Sequence, residues 1–211
     1  MTLTIKTFVL GPLQNNTYLI VDKTSNYATI IDPSIGSNFL IDEINSNKLV
    51  LKYIWVTHAH FDHFAGAENL ARAFNPQIPI ALHSSDISLW SEGGGAKQFG
   101  YDFKPGPLPK ILLTDKQIIS LGNSQFEVRH TPGHSQGHVV FYCENENVAF
   151  CGDLIFYHSI GRTDLPSSNS NALYKSIYEK IFTLPDKTRL LCGHGPPTTV
   201  IEEKTNNPFL K

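Results

Sequence analysis

Apolar residues gather into short runs separated by Gly, Pro, Asn and Asp, the spacing of strands more than of long helices. The first third reads as strands at Ile5 to Leu10, Thr17 to Val21, Ala28 to Ile31 and Val50 to Val56. Between the last two, Ser37 signals a helix start, and Phe39, Leu40 and Ile44 recur at helical spacing until Asn45 and Asn47 interrupt them. A second helical pattern, Ala65 to Phe74, stops before Asn75-Pro76. More strands follow at Ile118 to Leu121, Gln125 to His130, His138 to Cys143 and Val148 to Cys151. From Ala172 to Leu184, Leu173, Ile177 and Ile181 fall four apart, which predicts a helix buried along one face and ended by Pro185. Thr188 to Cys192 reads as the last strand. Two rounds of strands with covering helices predict a layered α/β arrangement of two packed sheets with helices outside; the pattern leaves the strand order open.

The length of 211 residues suits one globular unit spanning 1–211. A formal charge of −2 and the lack of any Lys/Arg-rich run argue against a nucleic-acid partner. No apolar stretch approaches the roughly 20 residues of a membrane helix, so no membrane partner is expected. The N-terminus has no basic segment leading into a long apolar run, and the three cysteines, Cys143, Cys151 and Cys192, lie in apolar strand-like runs. Both features point to reduced thiols in the cytoplasm. Gly93 to Pro109, rich in Gly and Pro with Phe99, Tyr101 and Phe103 interleaved, reads as a long loop, either functional or an ordinary surface excursion.

The chemistry concentrates in Thr57-His58-Ala59-His60-Phe61-Asp62-His63, where three imidazoles and a carboxylate follow an apolar strand. Alternate side chains of an extended segment share a face, so His58 and His60 suit one ion, and a turn near Phe61 swings Asp62 and His63 toward another. Nitrogen and oxygen donors without thiolate fit zinc, and also iron or manganese. Partners stand at three other strand ends beside glycine: His134, Asp153 and His194. Glycine there lets the backbone approach a crowded centre.

H-x-H-x-D-H followed by His134, Asp153 and His194 resembles the metallo-β-lactamase superfamily over nearly the whole chain. The resemblance implies an αββα sandwich with two metal ions. His58, His60 and His134 would hold the first, Asp62, His63 and His194 the second, and Asp153 would bridge them. Asp62 and Asp153 are the catalytic candidates. Within the superfamily, Gly152 to Phe156, Ser159 to Pro166 and Glu202 to Leu210 are similar to the short bacterial type II glyoxalases, which hydrolyse the thioester S-lactoylglutathione. The implied partner is a small, glutathione-derived thioester, cleaved by a hydroxide between the two ions. Arg162 aligns with a glutathione-contacting lysine of the longer glyoxalases, and His158, close after Asp153, is a second candidate for substrate binding. The segment after His194 departs from those longer forms, having Pro196 and Pro197 in place of a glutathione-contacting tyrosine and no basic helical region. The alternative is a persulfide dioxygenase holding one iron through His58, His134 and Asp153, since that group shares Gly-Arg-Thr-Asp; a lactonase and a non-catalytic metal-binding protein rank lower. His83, His130 and His138 read as ordinary structural or surface histidines, and Asp32 as a turn cap before Pro33.

Overall fold

The computed structural model describes residues 2–211. The first sheet takes its strands in chain order: β1 (Leu3–Leu10), β2 (Asn15–Asp22), β3 (Tyr27–Ile31), β4 (Val50–Trp55), β5 (Ile80–His83) and β6 (Ile111–Leu113). β1 to β3 are antiparallel, and β3 to β6 run parallel. The second half supplies β7 (Ile118–Leu121), β8 (Ser124–His130), β9 (Val139–Cys143), β10 (Val148–Gly152), a small hairpin of β11 (Ile155–Phe156) and β12 (Ser159–Ile160), then β13 (Arg189–Cys192) and β14 (Thr198–Thr199). Its large sheet has the order β14-β13-β10-β9-β8-β7, with β10 and β13 parallel.

Between the sheets, Ile20, Ile31 and Trp55 of the first meet Phe126, Phe141 and Phe150 of the second. Trp55 sets its ring edge-on to Phe126 at 5.0 Å, a favoured aromatic geometry. Helices α1 (Leu40–Ser46), α2 (Phe61–Phe64), α3 (Ala67–Arg72) and α4 (Ile87–Ser91) cover the outer face of the first sheet, burying Leu40, Ile44, Phe64, Leu70 and Trp90. Over the second sheet lie α5 (Ser170–Ser176), prolonged by a π turn through Ile181, and α6 (Val200–Asn206). Leu173, Ile177 and Ile181 are fully buried there, as their spacing predicts, each contributing roughly 1.5–3 kcal/mol. The result is the four-layer αββα sandwich.

The helix expected over Ala65 to Phe74 divides in two, with α2 beginning inside the histidine cluster and the chain turning at Gly66, whose N–H donates to Pro33 O at 2.9 Å. The short strands β5, β6 and β14, the hairpin β11-β12 and helices α4 and α6 add to the elements read from the pattern. Cys143, Cys151 and Cys192 are buried free thiols. Among the described residues no helix is long and apolar enough to cross a membrane.

Candidate metal centre

Four of the strands end at one rim of the sandwich, and each delivers part of a cluster there. The segment after β4 carries His58, His60, Asp62 and His63; those after β8, β10 and β13 carry His134, Asp153 and His194. Three groups of donor atoms lie within 4.8 Å of one another: His58, His60 and His134; His58, His63 and Asp153; and Asp62, His63 and His194. The Asp153 carboxylate stands among all of them, Oδ1 at 3.3 Å from His63 Nε2, and Oδ2 at 3.5 Å from both His134 Nε2 and His194 Nε2. Asp62 Oδ2 is 3.3 Å from His194 Nε2 and 3.5 Å from His63 Nε2. A tetrahedral ion with ligands at roughly 2.0–2.1 Å sets donor atoms about 3.4 Å apart, so these separations match a coordination shell. His58 Nε2, His63 Nε2 and Asp153 Oδ1 are buried without any hydrogen-bond partner. Such orphaned acceptors are costly unless something occupies the point they share, and a cation fits.

The orientation of the rings follows from what their far nitrogens touch. Thr57 Oγ1 donates its single hydrogen to Asp32 Oδ2 at 2.7 Å. It therefore accepts from His58 Nδ1 at 3.0 Å, which leaves Nε2 as the lone-pair nitrogen. His63 Nδ1 donates to Asp32 Oδ2 at 2.9 Å and His134 Nδ1 to Arg162 O at 2.9 Å, with the same consequence. His60 meets the cluster through Nδ1, 2.8 Å from His134 Nε2. At Gly193 an added Cβ would lie 2.1 Å from Asp153 Oδ1 and 2.8 Å from His63 Cε1, so any larger residue invades the centre.

Residues 10–194 match a family model described as the metallo-beta-lactamase superfamily. The chain belongs to that superfamily. The hydroxyacylglutathione hydrolase GloC of Haemophilus influenzae is 36% identical to it over 198 residues, 93% of either chain. Among crystal structures, the BLEG-1 B3 metallo-beta-lactamase superposes with a TM-score of 0.92 at 36% identity, covering 99% of this chain and 100% of its own. TTHA1623 in a di-iron-bound form gives 0.88 at 37% identity, covering 97% and 100%. Family and His/Asp cluster together imply divalent metal ions.

Electrostatically, this superfamily member has two unlike sides to its centre. Burial pushes the imidazoles of His58, His60 and His134 down, His60 to about 3, so they are neutral donors. Burial opposes a charge on His63 and His194 as well, but the Asp153 and Asp62 carboxylates outweigh it and raise both, His194 to about 10, a demand for positive charge that either ring protons or a cation held by the lone pairs would meet. Those two carboxylates, raised by burial, are pulled lower still by His63 and His194.

Beside the cluster lies a cavity of about 580 Å³, lined by His60, Asp62, His134, Asp153 and His194 and walled by Leu13, Phe61, Leu89, Phe99, Phe156, Ile160 and Leu165. Arg162 lines it, but its guanidinium grips Asp164 with two bonds of 2.7 and 2.8 Å. His158, expected near substrate, is instead paired through Nε2 to Glu202 Oε1 at 2.7 Å and stacked on Tyr157, outside the cavity lining. The Gly93 to Pro109 stretch forms one wall through Gly94, Gly95, Lys97, Gln98 and Phe99.

Three supporting residues escape a reading of the sequence. Asp32 is no turn cap: fully buried at φ 52°, its carboxylate accepts from Thr57 N at 2.7 Å, Thr57 Oγ1 and His63. Asp86 accepts from Ala59 N, Ser135 Oγ and Gly137 N, tying the His58 and His134 loops together. His138 is fully buried, donates through Nδ1 to Thr131 Oγ1 at 2.8 Å and accepts the Asp153 N–H on Nε2 at 3.1 Å. The Asp-Pro pair is the only local hint among them; the other two contacts join residues far apart in sequence.

Proposed function

We propose that this chain is a hydrolase cleaving small thioesters, glutathione-derived ones included, at a two-metal centre. His58, His60 and His134 would hold one ion and Asp62, His63 and His194 the other, with Asp153 supplying a carboxylate to the centre they share. The observation that carries this reading is the Asp153 carboxylate set 3.3–3.5 Å from ring nitrogens of His63, His134 and His194, one or more from each donor group, beside a cavity large enough for a small-molecule substrate. Nitrogen and oxygen donors suit zinc, the ion we assign, and also iron or manganese. Two such ions would supply Lewis acidity able to activate a water and polarise a carbonyl.

The protein's residues do the rest. Asp153 and Asp62 hold the negative charge of the centre, and Asp32, Thr57 and Arg162 O fix the ring tautomers around it. Phe61, Phe156, Ile160 and Leu165 give the acyl group an apolar wall that displaces water. Hydrolysis adds water across the C–S bond: oxygen joins the carbonyl carbon, and sulfur leaves with the bonding pair. Thiols are acidic enough to leave as thiolates with little proton help, so a general acid is not required. The likeness to GloC supports the thioester class, and the three buried free thiols fit a cytoplasmic setting. The likeness to BLEG-1 favours a second reading, β-lactam hydrolysis at the same centre.

The test is metal analysis of purified protein beside turnover of S-lactoylglutathione and a β-lactam, with persulfide-dependent oxygen uptake as a third assay. We expect close to two ions per chain and thioester cleavage, with Asp153→Ala losing several orders of magnitude in kcat/KM. One ion under metal excess, with oxygen uptake, would establish a mononuclear iron dioxygenase instead.

A further inference from the structure

The cavity beside the metal centre carries two cations, Lys97 and Arg162, and they are not equivalent. Arg162 is already engaged. Nε and Nη2 reach the two oxygens of Asp164, and its carbonyl orients His134. That pairing occupies the Nε/Nη2 edge and sets a carboxylate against the guanidinium charge, so Arg162 offers an anionic ligand less net charge than an unpaired lysine does.

Lys97 lines the same cavity, is exposed, and among the described residues has no carboxylate within ion-pair distance. Its position is fixed through the backbone. The single turn Ala96–Phe99 that carries it follows Gly94, whose carbonyl accepts from Phe61 N at 3.0 Å, inside the metal-binding segment. An added Cβ at Gly94, which has φ +60°, would lie 2.5 Å from Phe61 N and 2.6 Å from Ala59 O, so only glycine permits so close a seat. Phe99 packs on Phe61 with ring centroids 5.5 Å apart. The turn is thus docked on the loop that holds His58 to His63, and it brings an unpaired lysine to the lining of the same cavity. The other charged side chains lining the cavity beyond the cluster are Arg162 and Glu92, and Glu92 takes the Ser88 hydroxyl at 2.9 Å.

We propose that Lys97 is the specificity-determining residue of this cavity: it reads a carboxylate carried by the substrate away from the scissile bond, while Arg162 braces the His134 loop. The ligand class is an acyl derivative with an apolar body and an outlying carboxylate. This deepens the thioester reading and rests on it for the reaction, but not for the recognition.

The experiment uses metal-loaded protein and two matched ligand pairs. One pair is non-hydrolysable S-alkyl thioethers ending in a carboxylate or its amide, measured by calorimetry. The other is the corresponding thioesters, measured by kinetics. Wild type is expected to prefer the carboxylate about two- to fivefold, the scale of a screened ion pair, and less so at high salt. Lys97→Ala removes that preference and raises KM for the charged thioester with kcat kept; Lys97→Glu inverts the preference, and Lys97→Arg retains it. Arg162→Ala leaves the preference standing. A preference that survives Lys97→Ala, that falls with Arg162→Ala, or that is missing from wild type overturns the proposal. Preferential thioether binding without cleavage of either thioester would sink the thioesterase reading and leave Lys97 in place; cleavage without preference would do the reverse.

Discussion

Residue by residue, the centre depends on side chains that never meet an ion. His138 shows this most plainly, since its unprotonated Nε2 receives the Asp153 N–H and burial pushes its imidazole well down, keeping it neutral. Replacing it leaves the Asp153 N–H without its acceptor and takes one of two partners from Thr131 Oγ1, which keeps the His138 carbonyl at 3.3 Å. His138→Ala is expected to cost about 2–4 kcal/mol in urea unfolding. It should also weaken metal affinity about tenfold in chelator competition, as loss of an outer contact does. The seven clustered residues were legible because His58 to His63 are contiguous and His134, Asp153 and His194 each follow a strand beside glycine. His138, Asp86 and Lys97 were not. Nothing local separates a buried accepting imidazole from a surface one, or a cavity lysine from a solvated one.

Among the elements, runs long enough to show a period were readable, as Val50–Trp55 and the Leu173, Ile177, Ile181 stripe demonstrate. β5 and β6, with only four and three residues, hold too few positions for any period. The pairing of sheets is equally hidden in single elements, and one carboxylate adds a polar clamp to the apolar core between them. Asp22, at the end of β2, accepts from Thr24 N and Ser25 N in its own turn, from Asn123 N in the turn between β7 and β8, and from Ser124 Oγ at the start of β8. Burial raises this carboxyl, but those donors hold it well below the usual carboxylate range. A depressed carboxyl contributes stability that is present above the unfolded value near 3.9 and lost as pH falls through the folded one. Asp22→Ala should therefore lower stability at neutral pH by about 2–4 kcal/mol, seen as a shifted urea midpoint, and the gap to wild type should close in strong acid. A gap independent of pH would mean the carboxylate charge is irrelevant to the clamp.

For the molecule as a whole, acid acts first through histidine. His83 Nδ1 accepts from Ser85 N at 3.2 Å, capping the turn before α4, and its ring stacks on His130 at 4.1 Å. Burial, then His130, lower it to about 4, while the unfolded chain binds that proton near 6.5. The unfolded state is thus protonated first, and this contribution, complete above about 6.5, is lost as pH falls toward about 4. His83→Asn keeps an N-cap acceptor without a titrating ring, so its Tm should fall less than that of wild type over the same interval; parallel curves would refute the assignment. A larger asymmetry lies in how the centre is assembled. Each of the three donor groups draws ligands both from the segment after β4, on the first sheet, and from strand ends of the second. Neither half of the sandwich holds a complete group, so an ion gains its full shell only after the halves have docked. Occupancy of the centre then reports that the two halves have met, and metal binding and docking of the sheets reinforce one another.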